Sequence, residues 1–226
     1  MTEQSLYFEY GEAETEYLKS KDPRLAEVID RIGHIERVAD NDLFASVAHH
    51  IVGQQISAKA QQTVWHRMNA SLDEVTPAGI CKVSVQKLQS FGMTFRKAEY
   101  IKDFAQKVLD SEVDLDAVEH MTDEEAIATL SSLKGIGVWT AEMILLFCLR
   151  RPNILSFRDL AIRRGMSIVY NRMDIDRKFF EKIRKRLSPC CSVASLYFWA
   201  AAGEAKEKRL SEAQKIGGKN DLHQRL

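Results

Sequence analysis

No segment of this 226-residue chain approaches the roughly eighteen consecutive apolar residues that a membrane span requires. The opening, MTEQSLYFEYGEAETEYLKS, is acidic and lacks an apolar core of signal length, so no membrane partner is expected. C-x-x-C pairs are missing too. The four cysteines are Cys81, Cys148, Cys190 and Cys191, and the adjacent last two make a poor zinc site and a poor disulfide. These absences lead to the expectation of a reduced, intracellular protein, cytoplasmic and near the nucleoid in a bacterium or nuclear in a eukaryote. No Pro/Gly/Ser-rich linker, internal repeat or low-complexity tract divides the chain, and strand-like alternation is almost absent.

Net charge is absent as well: 32 Lys and Arg balance 32 Asp and Glu. The distribution is uneven, however. Residues 1–46 hold eleven acids and five bases, a balance of −6. Residues 150–186 hold twelve bases and four acids, a balance of +8. Either the basic run is a solvated face or it meets a polyanion.

What fills the chain is helical patterning, in an ordinary composition of 45% hydrophobic and 28% charged residues. DPRLAEVIDRI places Asp22 as an N-cap and Pro23 at the first helical position, with Leu25, Val28, Ile29 and Ile32 on one face. NDLFASVAHHIV repeats the spacing until Gly53, after which Ser57 caps AKAQQTVWHRM. TFRKAEYIKDFAQKVL is a further amphipathic helix, and Thr122 with Glu125 forms a capping box. Asp176 starts another, and Ser188-Pro189 a long final helix that should fade near Gly217-Gly218, leaving 217–226 as a flexible tail. The expectation is an all-α protein of about ten helices.

One stretch stands apart. In LSSLKGIGVWTAEMILLFCL, two glycines precede a nearly unbroken apolar run. Helix Asp123–Leu130, the turn Leu133-Lys134-Gly135-Ile136-Gly137 and helix Val138–Leu149 make a helix-hairpin-helix over 123–149. Such a turn exposes backbone N–H groups at the positive end of the second helix, an anion site indifferent to base sequence. Ile136 would plug the hairpin inward. Taken alone, the same residues also fit an αα-corner with a Schellman-type cap.

LKGIGVWTAEMIL followed by ILSFRDLAIRRG resembles the helix-hairpin-helix (HhH-GPD) DNA glycosylases, whose signature is this hairpin and then an aspartate. HHIVGQQISAKAQQTVWHRM and GMTFRKAEYIKDFA resemble the same superfamily, in its 3-methyladenine glycosylase II branch. The likeness runs from about Asp22 to Ala202, three blocks in the same order. It implies a single region over 1–226, built as two helical lobes with the active-site cleft between them. The β-rich N-terminal domain of the best-known bacterial members is not expected.

The resemblance also implies roles. Asp159 falls at the catalytic aspartate, where a fixed carboxylate stabilises oxocarbenium character at the sugar and helps deprotonate water. Arg158, Arg163 and Arg164 would keep it ionised, and it also suits a helix N-cap. Bifunctional relatives carry a Schiff-base lysine two residues after the second hairpin glycine; here that position is Trp139, which implies a monofunctional hydrolase leaving an abasic site. Trp139 and Trp199 fit pocket aromatics for cationic methylated purines, and Met143 the pocket floor, although helical aromatics also serve as core. Gln55 matches the residue that fills the gap left by the flipped base, with Gln54 beside it; a polar interhelical turn is the other reading. Gly135, Ile136, Gly137 and Thr140 belong to the DNA-facing hairpin. The carbonyls of Ser131, Leu133 and Ile136 match those that hold a Na+ or K+ ion in relatives, and the iron–sulfur cysteines of some relatives are missing. The partner implied is double-stranded DNA carrying alkylated bases, met by a monomer. Two other functions stay open: a glycosylase for uracil or mismatched bases, and a non-catalytic DNA-binding module. Tyr7, Phe8 and Tyr10 either cover the cleft or anchor the N-terminus.

Overall fold

The computed structural model describes residues 7–72 and 74–223, with 208–223 by their main chain alone. After Gly11 come α1 (Glu12–Lys21) and α2 (Pro23–Ile32). There follow α3 (Leu43–Gly53), α4 (Ala58–Ser71), α5 (Pro77–Lys82), α6 (Val85–Ser90) and α7 (Phe95–Leu109). Next are α8 (Leu115–His120), α9 (Asp123–Ser131) and α10 (Val138–Phe147). The chain closes with α11 (Leu160–Val169), α12 (Arg177–Leu187) and α13 (Cys191–His223). Among the described residues the sole β feature is an isolated bridge between Tyr7 and Val38, so the fold is all-α as expected.

Among the described residues thirteen helices stand where about ten were expected, because α5, α6 and α8 have six residues each, too few for an apolar period to repeat. Helix α1, likewise unmarked in the sequence, buries only Leu18 and so reads there as a solvated acidic stretch. At the other end, α13 stays helical to His223, past Gly217-Gly218. A glycine weakens a helix by about 1 kcal/mol but does not forbid it. Of the tail expected at 217–226, residues 224–226 lie outside those described.

The chain forms two compact units. One comprises 38–151, with Tyr7 and Phe8; the other comprises 9–37 and 152 onward. In the first, Val47, Ile51, Met68, Ile101 and Ile144 are fully buried, and Phe44 stacks on Phe104 with centroids 4.9 Å apart. In the second, Leu18, Leu25, Met166, Tyr197 and Phe198 form the centre. Asp22 is the polar node there. One oxygen accepts the Arg24 and Leu25 amides; the other accepts the Tyr170 hydroxyl at 2.9 Å and Arg186 at 2.7 Å. A carboxylate this buried is tolerable only with such complete satisfaction.

Of the N-terminal aromatics, Tyr7 is 44% exposed, while Phe8 and Tyr10 are anchors. Phe8 is buried, and Tyr10 stacks on His34 while its hydroxyl accepts the Ile35 N–H and meets the Tyr197 hydroxyl.

Candidate active site

In the first unit, α9 opens on the expected capping box: the Thr122 hydroxyl accepts the Glu125 N–H, and Glu125 accepts the Thr122 N–H. After α9 the chain turns, with Ile136 N–H donating to the Leu133 carbonyl at 3.0 Å. The two glycines have different reasons. Gly135 has φ +87°, and a Cβ there would lie 2.5 Å from the Tyr100 ring, so it answers to both conformation and space. Gly137 has φ −98°, which any residue adopts, and a Cβ there would meet no protein atom within 4 Å. Glycine at 137 leaves room for something outside the protein.

The helix starts support that reading. From α2 to α12, every helix is capped by an Asp, Ser or Thr side chain, except α10, whose N-cap is Gly137. The N-cap of α10 therefore supplies no side-chain acceptor to the first turn, which is the positive end of a helix dipole. Ile136 is buried, as the inward plug requires. On α10, Met143 is 3% exposed and Thr140 7%, so both residues are buried. Trp139, at 42% exposure, presents part of its ring to solvent.

Helix α3 ends at Gly53, and the turn that follows carries both expected glutamines. Gln55 is exposed, with φ +56°. Gln54 departs from expectation: its side-chain amide donates to the Gly135 carbonyl, tying this turn to the hairpin instead of facing outward. The cause is proximity of two turns 81 residues apart, which no local pattern reveals.

In the second unit, Asp159 caps α11. Its Oδ1 accepts the Ala161 and Ile162 amides, each at 2.8 Å, and the Trp199 indole N–H at 3.2 Å. Three N–H donors on one oxygen of a residue only 7% exposed make the carboxylate a fixed charge. The Trp199 indole nitrogen thus helps to hold the Asp159 carboxylate in place. Gly165 makes this register possible. A Cβ there would sit 1.9 Å from the Phe198 carbonyl oxygen, so α11 and α13 touch backbone to backbone one residue before Trp199. Of the arginines expected around Asp159, Arg163 lies over the Phe157 ring at 5.0 Å, and Arg158 and Arg164 are exposed. Leu160, next to Asp159, is 68% exposed.

A glycine hairpin without an N-cap side chain and a buried, fixed carboxylate are present in one chain, 22 positions apart from Gly137 to Asp159. The family model of HhH-GPD superfamily base excision DNA repair proteins matches residues 48–189, spanning both. The chain belongs to the HhH-GPD superfamily. A crystal structure of a DNA-3-methyladenine glycosidase from Bacillus halodurans matches with TM-score 0.78 and 32% identity, covering 89% of this chain and 94% of that one. A Bacillus subtilis protein provisionally named a DNA-3-methyladenine glycosylase is 27% identical over 72% of this chain. That match spans 60% of the Bacillus subtilis protein's own length. The fold is also that of Schizosaccharomyces pombe 3-methyladenine DNA glycosylase bound to abasic DNA, with TM-score 0.72, 23% identity and coverage of 83% and 95%. For this HhH-GPD chain, the matched span includes the glutamine turn, the hairpin and Asp159, while Trp199 lies beyond its end.

Proposed function

We propose that this HhH-GPD protein is a monofunctional DNA glycosylase that extrudes alkylated purines, such as 3-methyladenine and 7-methylguanine, and hydrolyses their N-glycosidic bond. The observation that carries the proposal is the Asp159 carboxylate, immobilised through Oδ1 by three N–H groups. When the base departs, the deoxyribose gains oxocarbenium character, and a preorganised negative charge stabilises it without reorganisation. The same group can accept a proton from the attacking water. Trp139 supplies a half-exposed indole, a face that binds a cationic methylated purine better than a neutral one. It offers no amine, so no Schiff base forms there and the strand is left with an intact abasic site. The relatives named for 3-methyladenine support this substrate class.

DNA binding by the hairpin rests on the uncapped start of α10 and the open space over Gly137. Gln55, exposed at its turn, fills the gap left by the extruded base. The carbonyls of Ser131, Leu133 and Ile136 suit a monovalent cation: a neutral oxygen donor set, in which Leu133, already accepting the Ile136 N–H, keeps a second lone pair. Those carbonyls would hold Na+ or K+, whose charge would draw a phosphate oxygen toward the hairpin.

The test is base release from methylated duplex DNA, followed by alkali to cleave abasic sites. Release of 3-methyladenine or 7-methylguanine, with strand cleavage only after alkali, is the expected result. Release of uracil in place of alkylpurines, cleavage without alkali, or binding without release would each overturn it. Affinity should also fall steeply with salt as counterions return to the phosphates.

A further inference from the structure

The turn after α3 is held by side chains as well as by its own backbone, in which the Gln54 N–H donates to the Ile51 carbonyl at 3.4 Å and the Ile56 N–H to the Gly53 carbonyl at 3.5 Å. The last carbonyls of a helix have no partner within it. Here Gln61 donates its side-chain amide to the His49 carbonyl at 2.9 Å. Lys97, on α7, donates from one ammonium group to the Val52 carbonyl at 2.8 Å and the Gln54 carbonyl at 2.6 Å. The Gln54 side chain in turn reaches the Gly135 carbonyl. Gln54 is therefore pinned at both its carbonyl and its amide.

What that pinning controls is the next residue. The Gln54 carbonyl lies in the peptide plane that leads into Gln55, so fixing it fixes one side of the Gln55 φ rotation. Gln55 has φ +56°, a left-handed conformation that a side-chain-bearing residue leaves unless its surroundings hold it. Gly135, the far anchor, is itself seated against Tyr100, one helical turn from Lys97 on α7. A lysine meant for phosphate would keep its ammonium in water. Lys97 is half-buried, directs two donors at carbonyls, and burial lowers its pKa.

We propose that Lys97 is a positioning residue for base extrusion: with Gln54 it joins the Gln55 turn and the Gly135 hairpin into one rigid piece, holding Gln55 in its left-handed, DNA-facing conformation. This inference rests on the proposed glycosylase reading for the role of Gln55, but not on which base is released.

The test uses the full chain and a duplex with 2-aminopurine beside a non-cleavable abasic analogue, whose emission rises as the neighbouring stack opens. Lys97→Met is expected to reduce that rise about tenfold, the scale of population lost when a strained left-handed residue is released. The salt dependence of its DNA affinity should stay unchanged. A fall of about one in the salt slope would instead make Lys97 a phosphate contact and overturn the proposal. An unaltered 2-aminopurine rise would overturn it as well. Gln54→Leu keeps both Lys97 hydrogen bonds but cuts the tie to the Gly135 carbonyl; a lowered rise is expected there too, and an unaltered one would overturn the proposal, which stays falsifiable should Lys97→Met fail to fold. If the unaltered protein opens the stack but releases no alkylated base, the substrate reading fails while this one stands.

Discussion

The Trp199 indole N–H and the Asp159 carboxylate meet at 3.2 Å, on the same oxygen that accepts two amides of α11. One carboxylate oxygen thus serves the helix and the indole, and the acid is both a structural cap and the group on which the proposed chemistry depends. Those two duties can be separated by substitution.

Asparagine caps helices about as well as aspartate but carries no charge. Asp159→Asn should therefore melt within a few degrees of the unaltered protein and bind lesion DNA comparably. Its single-turnover excision should fall by about 10²–10³-fold, the usual scale for one lost electrostatic group. Near-normal excision would remove Asp159 from its role.

Trp199→Phe keeps an aromatic ring and deletes one donor. A hydrogen bond to a charged group contributes more than a neutral one, so stability should drop by about 1 kcal/mol and excision slow by about tenfold. Denaturant unfolding and single-turnover kinetics measure the two effects. An unchanged rate would reduce Trp199 to packing.

The hairpin glycines should respond differently to alanine. Gly135→Ala meets both a left-handed φ and the Tyr100 ring, and is expected to cost about 2 kcal/mol of stability. Gly137→Ala meets neither and loses only the modest N-cap preference for glycine, so its melting temperature should fall less than that of Gly135→Ala while affinity for abasic DNA falls. Equal affinity for Gly137→Ala would mean that no phosphate approaches there.

Gly165→Ala drives a methyl into the Phe198 carbonyl, which is backbone and cannot swing aside. Separation of α11 from α13 should cost about 3 kcal/mol and move Asp159 off the Trp199 donor. Thermal unfolding, read together with excision under conditions where the variant is still folded, checks both.

Acid should weaken the first unit through its histidines. Burial pushes His50 from 6.5 down to about 4, with Asp40 opposing, and lowers His49 in the same direction. Held neutral in the fold, His50 takes up its proton on unfolding. The unfolded chain then binds more protons between these two values, so stability declines as pH falls from about 6.5 toward about 4 and levels off below. His50→Gln should flatten that decline by at most about 3 kcal/mol. Urea titrations across this pH window, compared between the two proteins, will show whether it does.

Local chemistry made much of this legible from residues alone. Asp22, Ser57, Thr122 and Asp176 cap the helices they precede, because an N-cap needs only a short polar side chain and the next three amides. Asp159 was readable as a cap for the same reason, and by resemblance as the acid. Ile136 as an inward plug followed from an apolar residue flanked by glycines.

Pairings across the chain were not legible. That Gln54 serves Gly135, that Lys97 holds two carbonyls of the α3 end, and that Trp199 clasps Asp159 depend on separations of 81, 45 and 43, and 40 residues. The glycine string shows the same division. Its turn was plain from composition, yet which glycine yields to backbone geometry and which leaves space outside the protein follows from what stands over each Cα. Helix caps and apolar faces are written within a few residues because hydrogen bonding and burial at that range are dictated by neighbours in sequence. Partners for a polar side chain are chosen by packing, which brings together groups that no local pattern connects.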